Sequence, residues 1–356
     1  MKIFYLPGAY DGSYYYRGYM PGVYTDQMVT GDFITKQFDV ESITEQAKRA
    51  DVVVFQRPNE PKRHKLAQLL KEQGKKVIFE NDDTYDIEKG IPMHLLDNDN
   101  QRDIARKISK LLDETLSIAD GAIASTSLLA EEYKKINPNV AVCKNCIDPM
   151  DEYECKENTT GKFRVGLVGS VTTNHDYYHI KEEIKRLDDR GDVTIVLFGL
   201  KFKDGSKLPA CQDDFAFWDS LKNVEWQPFV PVSMYYYTIS KLALDVAIIP
   251  RKDHYFNKCK SNLKFLEMSL LNIPVIAQGF EDKQSPYQGV DEEYMSVITG
   301  GEGWYDKIIE VKDNYQQYKS LAKKAHDYVL KDYNIQDYAK VWTETIEKLC
   351  LSQKNS

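Results

Sequence analysis

The chain predicts a two-domain α/β protein in which each domain is a parallel sheet wrapped by helices. Short apolar runs alternate with helix-period segments along most of its length. The alternation breaks once, at the polar stretch "MDEYECKENTTGK", and then restarts. A length of 356 residues is long for one core and suits two.

The first set of strand-like runs is "KIFYLPG" (2–8), "DVVVFQRP" (51–58), "KKVIFEND" (75–82), "GAIAST" (121–126) and "VAVCKN" (140–145). Helical patterns fall between them, over 61–73, 101–119 and 127–136. The second set is "FRVGLVGS" (163–170), "VTIVLFGL" (193–200), "VEWQPF" (224–229), "LDVAIIP" (244–250), "IPVIAQ" (273–278) and "MSVITG" (295–300). Its helices are expected near 176–190, 232–242, 260–271 and 302–311. The last part of the chain reads as two helices, roughly 312–331 and 335–351. The expected division is an N-terminal domain over 1–150, a linker over 151–161, a C-terminal domain over 162–334 and a terminal helix over 335–356. Open parallel sheets bind ligands at the carboxyl ends of their strands, here in a cleft between the two domains.

Composition narrows the function. Hydrophobic residues make up 42% and charged residues 29%, the balance of a soluble globular chain. Apolar runs such as "VTIVLFGL" stop far short of the roughly 18–20 residues of a membrane span. No integral membrane segment and a cytoplasmic location are therefore expected. The opening "MKIFYLPGAYDG" reads as a first strand and turn rather than a leader. A net charge of -8 argues against non-specific nucleic-acid binding as the main role. Cys143 and Cys146 form a CxxC, but no second CxxC and no His pair stands near it. Reduced thiols fit that context better than a zinc or redox site.

The segment "NKCKSNLKFLEMSLLNIPVIAQ" (257–278) joins two strand-like runs. Lys260, Lys264 and Glu267 fall at i, i+4 and i+7, on one face of the expected helix. Leu263, Leu266 and Leu270 take the adjacent, sheet-packing face. A helix that follows a strand aims its free N–H groups at the carboxyl edge, where they suit a phosphate. Lys260, Ser261 and Asn262 would lie there. The acceptor-only carboxylate of Glu267 suits a ribose diol. The same spacing also fits a solvent-exposed Lys–Lys–Glu stripe. Gly169 and Ser170, which close "RVGLVGS", are further donor-side candidates.

In the first half, "YLPGAYDGSYYYRGYMPG" follows the first strand. Gly8, Gly12, Gly18 and Gly22 suggest a flexible loop. Tyr14, Tyr15 and Tyr16 would offer aromatic faces, and Arg17 a phosphate-binding fork. A Tyr-rich surface helix start is the alternative. "FQRP" brings Arg57 to a strand end, and "FENDDTYD" brings Glu80, Asn81, Asp82, Asp83 and Asp86. Asp82, Asp83 and Asp86 could hold a hard cation, or one carboxylate could take an acceptor hydroxyl's proton. In "GSVTTNHDYYHIK" the polar candidates are His175, Asp176 and Lys181.

The stretch "LDVAIIP…FNKCKSNLKFLEMSLLNIPVIA" resembles the donor-site region of group 1 nucleotide-sugar glycosyltransferases of the GT-B fold. The matching pieces are Pro250, Lys260-Ser261, Lys264, Leu266-Glu267 and Pro274–Ala277. Weaker likenesses follow in the right order. "RVGLVGS" resembles the strand and turn that open the donor domain, and "KNCID" the segment that closes the acceptor domain. The terminal helices resemble the tail that crosses back to the first domain. The resemblance implies two Rossmann-like domains and hexosyl transfer from a nucleotide-diphosphate sugar, UDP-sugar ahead of GDP-sugar. It further implies retention of configuration and no metal or other cofactor. Lys260 and Ser261 would hold the diphosphate, and Lys264 would assist or pair with Glu267 on the ribose. Asp82, Asp83 and His175 are the catalytic candidates. The acceptor, a glycan or lipid-linked glycan precursor, would enter near Tyr14, Tyr15, Tyr16, Arg17 and Arg57.

This sequence also departs from the family. Cys259 stands where a sugar-contacting glutamate is usual, leaving a "KSxxKxxE" variant and weakening the implication of retention. Asn272 replaces a glycine, and the Arg and Lys that often follow the first donor-domain strand are missing. Asn81-Asp82 stand about where the family often has a histidine. Other readings remain beside this one. Viral sequences share "VIFENDD"-like segments, so a DNA glycosyltransferase acting on a hydroxymethylated base in the host cytoplasm is one. Arg17, Arg57, Lys62, Arg63 and Lys65 would then meet the duplex. A non-catalytic nucleotide-sugar or glycan-binding protein is another, and a sugar-nucleotide epimerase of the same architecture a third.

Overall fold

The computed structural model describes residues 1–29, 40–89, 99–170, 173–201 and 212–351. Its contacts divide the chain into two units. One holds Met1–Asp148, Cys259–Ser261 and Asn334–Ser356; the other holds Pro149–Lys258 and Asn262–Tyr333.

The first unit contains β1 (Ile3–Leu6), β2 (Met28–Val29), β3 (Val52–Gln56), β4 (Lys76–Asn81), β5 (Gly121–Ala124) and β6 (Val140–Val142). All pairings are parallel, in the order β2-β1-β3-β4-β5-β6. β1, β3 and β5 are buried at every position, as strands covered on both faces must be. β2 escaped the sequence reading because two residues show no periodicity. The terminal helix Ile335–Leu351 packs Trp342, Ile346 and Leu349 against Ile3, Tyr5, Val54 and Ile78. It therefore returns to the first sheet.

The expected flexible loop after β1 is instead helical. Asp11 caps a turn at Gly12–Tyr14 by accepting from the Tyr14 N–H at 3.1 Å. A π-turn at Tyr15–Tyr19 and a helix at Met20–Val23 continue it. Gly18 serves close packing here rather than freedom: a Cβ there would stand 2.4 Å from the Tyr14 ring.

The second unit contains β7 (Phe163–Val168), β8 (Val193–Phe198), β9 (Val224–Gln227), β10 (Val246–Ile249), β11 (Val275–Gly279) and β12 (Ser296–Thr299). They are again all parallel, in the order β9-β8-β7-β10-β11-β12. That is the order of a doubly wound dinucleotide-binding sheet. Val165, Leu167, Ile195, Leu197, Val246 and Ile248 form its core with Trp218 and Trp304.

Two helix boundaries differ from expectation. The helix expected at 176–190 is two, Asn174–Tyr178 and Lys181–Arg190. The one expected at 260–271 is Leu263–Leu270, preceded by a separate turn at Tyr255–Cys259. Lys260 and Ser261 thus lie before the helix, not on the face of Lys264 and Glu267. The end of that helix accounts for Asn272. Its φ is +54°, and the Ile273 N–H reaches back to Met268 O at 3.0 Å, closing a Schellman turn. Asparagine is among the few residues besides glycine that accept this conformation readily. Among the described residues, no helix is long and apolar enough to cross a membrane.

Candidate functional site

Each sheet has its own switch point, where connections diverge to opposite sides and loops part to leave a crevice. In the first sheet it lies between β1 and β3; in the second, between β7 and β10.

At the first switch point β3 is followed directly by Arg57, whose φ is +47°. A non-glycine residue held there costs of order 1–2 kcal/mol. Its neighbours define the conformation. The Arg57 N–H donates to Glu80 O at 2.9 Å, extending the sheet ladder by one residue. Its Nε donates to Asp82 Oδ1 at 2.8 Å and its Nη2 to Asp83 Oδ2 at 2.5 Å. Asp11 Oδ2 lies 3.8 Å from Nη1. Asp82 also accepts from Ser13 Oγ at 2.7 Å, and Asp83 from Lys260 Nζ. Burial alone would raise the Asp82 carboxyl, but Arg57, Lys260 and Ser13 hold it below the ordinary carboxylate value. Asp82 is thus kept ionised, which suits accepting a hydrogen bond or steadying positive charge better than removing a proton. Asp86 is apart from this group, in an ion pair with Lys89.

Behind this cluster Arg17 is fully buried rather than presented as a fork. Its Nε donates to Glu80 Oε1 at 2.6 Å, and its Nη1 to Cys143 O and Asn145 Oδ1. The guanidinium lies over the Trp342 ring at 4.5 Å. Burial lifts the Glu80 carboxyl to about 7, with Arg17 pulling the other way. Tyr14 and Tyr16 are also buried, and Tyr15 is half-buried, stacked on Tyr19. The expectation of a surface aromatic platform fails for Tyr14, Tyr16 and Arg17, because the run folds inward as helical turns. The basic group imagined against DNA dissolves similarly. Arg17 and Arg63 are buried and Arg57 is held by aspartates, leaving Lys62 and Lys65 exposed.

The segment Cys259–Ser261 belongs to the first unit. Lys260 pairs with Asp83, Ser261 Oγ accepts from Asn145 Nδ2 at 2.7 Å, and Cys259 O accepts from Thr126 Oγ1 at 3.0 Å. The Cys259 side chain is buried.

At the second switch point Gly169 and Ser170 follow β7, and Arg251 and Lys252 follow β10. Gly199, at the end of β8, has a φ of +80°, and a Cβ there would stand 2.3 Å from Gly169 O. Only glycine allows these strand ends to approach so closely. Asp176 accepts from Arg251 Nη1 at 2.8 Å, from Asn257 Nδ2 at 2.8 Å and from the Lys252 N–H at 3.2 Å. Burial would raise its carboxyl, but these partners, Arg251 first, lower it. Lys252 Nζ lies 2.8 Å from His175 Nε2. An ammonium only donates, so Nε2 accepts here.

A second group lies on the helix Leu263–Leu270. Glu267 Oε2 accepts from Tyr235 OH at 2.7 Å and from Lys264 Nζ at 2.7 Å, while Lys264 Nζ donates to Tyr235 OH at 2.6 Å. Tyr235 packs edge-on against Phe198, the last residue of β8, which sets this ring at the carboxyl edge. Lys264 and Glu267 pair at i, i+3 as their spacing permits. Asn262 instead donates to the buried Asp291 and to Tyr333 OH. Tyr235, Arg251 and Lys252 were missed by sequence reasoning. For Arg251 and Lys252 a usable signal existed: two cations immediately follow the strand run ending at Pro250.

Among the described residues, no group of three or more His, Cys, Asp or Glu is arranged to hold a metal ion. No family model matches the chain, and no curated protein matches it by sequence. Solved structures match its fold. HepE of Anabaena, solved in complex with UDP and glucose, superposes with a TM-score of 0.67 at 13% identity, covering 98% of this chain and 99% of that one. Sucrose-phosphate synthase of Thermosynechococcus elongatus gives 0.67 at 11% identity, with the same coverage of 98% and 99%. A glycosyltransferase of Rickettsia africae gives 0.64 at 11%, covering 99% and 98%. The chain therefore has the GT-B fold.

Proposed function

We propose that the protein is a glycosyltransferase that moves a hexosyl group from a nucleotide-diphosphate sugar, UDP-sugar ahead of GDP-sugar, to an acceptor hydroxyl. The observation that carries this reading is the Lys264–Tyr235–Glu267 ring at the carboxyl edge of a doubly wound sheet. A carboxylate fixed in that position suits the hydroxyls of a ribose. That HepE, of the same fold, was solved with UDP and glucose supports it.

In this reading Glu267 accepts from the ribose, and the backbone at Gly169 and Ser170 admits the diphosphate. Lys260 and Ser261 are the candidates for steadying charge on the leaving diphosphate. With the Lys260 ammonium in that role, no metal or other cofactor is proposed. The anomeric C–O bond to the diphosphate breaks as the acceptor oxygen bonds to the same carbon. The acceptor's proton passes to a carboxylate or to the diphosphate. Asp83 and His175 are the candidates for guiding it, and Asp82, held ionised, accepts a hydrogen bond. Arg57 and Tyr15 are the candidate acceptor contacts, and the acceptor proposed is a glycan or lipid-linked glycan precursor. Retention follows from the family resemblance alone.

A thermal-shift panel of UDP- and GDP-sugars tests the donor. A bound donor stabilises the folded state by mass action, by about 2.7 kcal/mol at a hundredfold excess over Kd, and so raises the melting temperature. A roughly tenfold loss of affinity in Glu267→Ala should cut that stabilisation by about half. If no nucleotide sugar shifts the transition, donor binding is refuted. If a donor binds but the products show a free epimer and no transfer, the epimerase reading replaces this one.

A further inference from the structure

We infer that Tyr235 is a positioning residue for nucleotide ribose recognition, orienting the Glu267 carboxylate through its phenolic hydroxyl. The inference rests on the proposed donor site and names what enforces its selectivity. Tyr235 comes from the helix Tyr235–Lys241 between β9 and β10, in the run "VPVSMYYYTISK", which resembles no nucleotide motif.

Three short hydrogen bonds close a ring. Lys264 Nζ donates to Tyr235 OH, Tyr235 OH donates to Glu267 Oε2, and Lys264 Nζ also donates to Oε2. Two donors converge on one carboxylate oxygen, so together they hold that oxygen in place. Lys264 alone does not do this. It stands one turn before Glu267 on the same helix, and its ammonium is on a stem of four rotatable carbons. The tyrosine is the rigid member. Its ring lies edge-on to Phe198 at 5.5 Å and to Tyr236 at 5.3 Å, leaving two torsions to place the hydroxyl. Glu267 is itself buried, so a misdirected carboxylate could not be replaced by a solvated rotamer. The arrangement also sets the charge of the ring. The ammonium and carboxylate neutralise one another, and the hydroxyl bridges them.

Ribose selectivity should therefore depend on Tyr235 although Tyr235 need not touch the nucleotide. Tyr235→Phe removes one oxygen and keeps the ring packing. The test is calorimetric titration of the full chain with UDP and with 2′,3′-dideoxy-UDP, or with the GDP pair if UDP does not bind. Wild type should prefer the ribose form by about 10-fold, the scale of one hydrogen bond to a charged group. Tyr235→Phe should erase most of that preference, weakening UDP about 5–10-fold while dideoxy-UDP changes less than about 2-fold. A variant that keeps the wild-type preference, or that loses both ligands equally, overturns the inference. Glu267→Gln separates this from the donor-site reading. If Glu267→Gln also keeps the preference, or if neither diphosphate binds wild type, the ribose assignment of Glu267 is itself wrong. If Glu267→Gln loses it and Tyr235→Phe does not, only the role of Tyr235 falls.

Discussion

Arg251 Nη1 donates to Asp176 Oδ2 at 2.8 Å, tying the loop after β10 to the helix that follows β7. The two strands are neighbours in the sheet, and their connections leave in opposite directions at this point. The pair thus spans the mouth of the second switch point. Both side chains are largely removed from water, at 8% and 15% exposure, so neither charge would be well solvated if the other were lost.

Removing one partner should therefore be costly. Asp176→Asn keeps the shape and leaves Arg251 without its counter-charge, with an expected loss of about 3 kcal/mol at neutral pH. The pH dependence gives a second readout. The folded-state carboxyl lies below its ordinary value of 3.8, so the native state binds fewer protons than the unfolded state near that pH. The associated stability is complete above the unfolded value and disappears as pH falls through the lower folded value. Melting curves from pH 7 to pH 3 should show wild type and Asp176→Asn converging below about pH 4. Parallel curves over that range would show that Asp176 contributes nothing through its charge.

Arg57 offers a separation of backbone from side-chain effects. Its φ of +47° penalises every side chain with a Cβ, while its guanidinium holds Asp82 and Asp83. Arg57→Gly and Arg57→Ala both release the aspartates, but only glycine relieves the backbone. Arg57→Gly should be the more stable of the two by about 1 kcal/mol, read from melting temperature. Equal stabilities would mean that the loop relaxes once the guanidinium is gone.

The fold was legible because parallel strands covered on both faces are near-continuous apolar runs, and "VTIVLF" and "VVVF" are such runs. Local pairings were legible as well: Lys264 and Glu267 are three residues apart, within one helical turn. The rest of the candidate site was not. Tyr235 and Glu267 are 32 residues apart, Arg57 and Asp82 25, and Arg17 and Glu80 63. No periodicity reports on contacts at those separations. The direction of a side chain was similarly hidden. "YDGSYYYRGYMPG" has the composition of an exposed loop, yet a cap at Asp11 and a tight approach at Gly18 turn Tyr14, Tyr16 and Arg17 inward.

Gly169 should tolerate no side chain. A Cβ there would meet Thr173 Oγ1 at 2.1 Å and Tyr177 OH at 2.7 Å. Thr173 closes the turn by accepting from the Ser170 N–H at 3.0 Å, and Tyr177 OH donates to Val168 O at 2.8 Å. Gly169→Ala must displace both anchors of the loop after β7. Overpacking of this kind typically costs 1–3 kcal/mol. Nucleotide diphosphate binding should weaken more than the melting temperature alone would suggest, because the loop itself is the proposed diphosphate contact. Calorimetry showing unchanged UDP affinity in Gly169→Ala would place the diphosphate elsewhere.

The cysteines give a prediction that depends on no ligand. Cys143 and Cys146 are buried, and burial pushes their thiols to about 11 and about 12. Arg17 pulls the Cys143 thiol down, and Lys144 and Arg17 that of Cys146, but burial dominates both. Cys155 is half-buried and also lifted to about 11, again chiefly by burial. The thiolate is the reactive form, so at pH 8 about one molecule in a thousand or fewer carries it at Cys143. Iodoacetamide at that pH, followed by peptide mass spectrometry, should leave Cys143 and Cys146 unmodified in the native protein. Both should label fully once urea has unfolded it. Cys155 should fall between, its access partly open and its thiol still largely protonated. Rapid native labelling of Cys146 would mean that the segment after β6 opens far more readily than its packing implies.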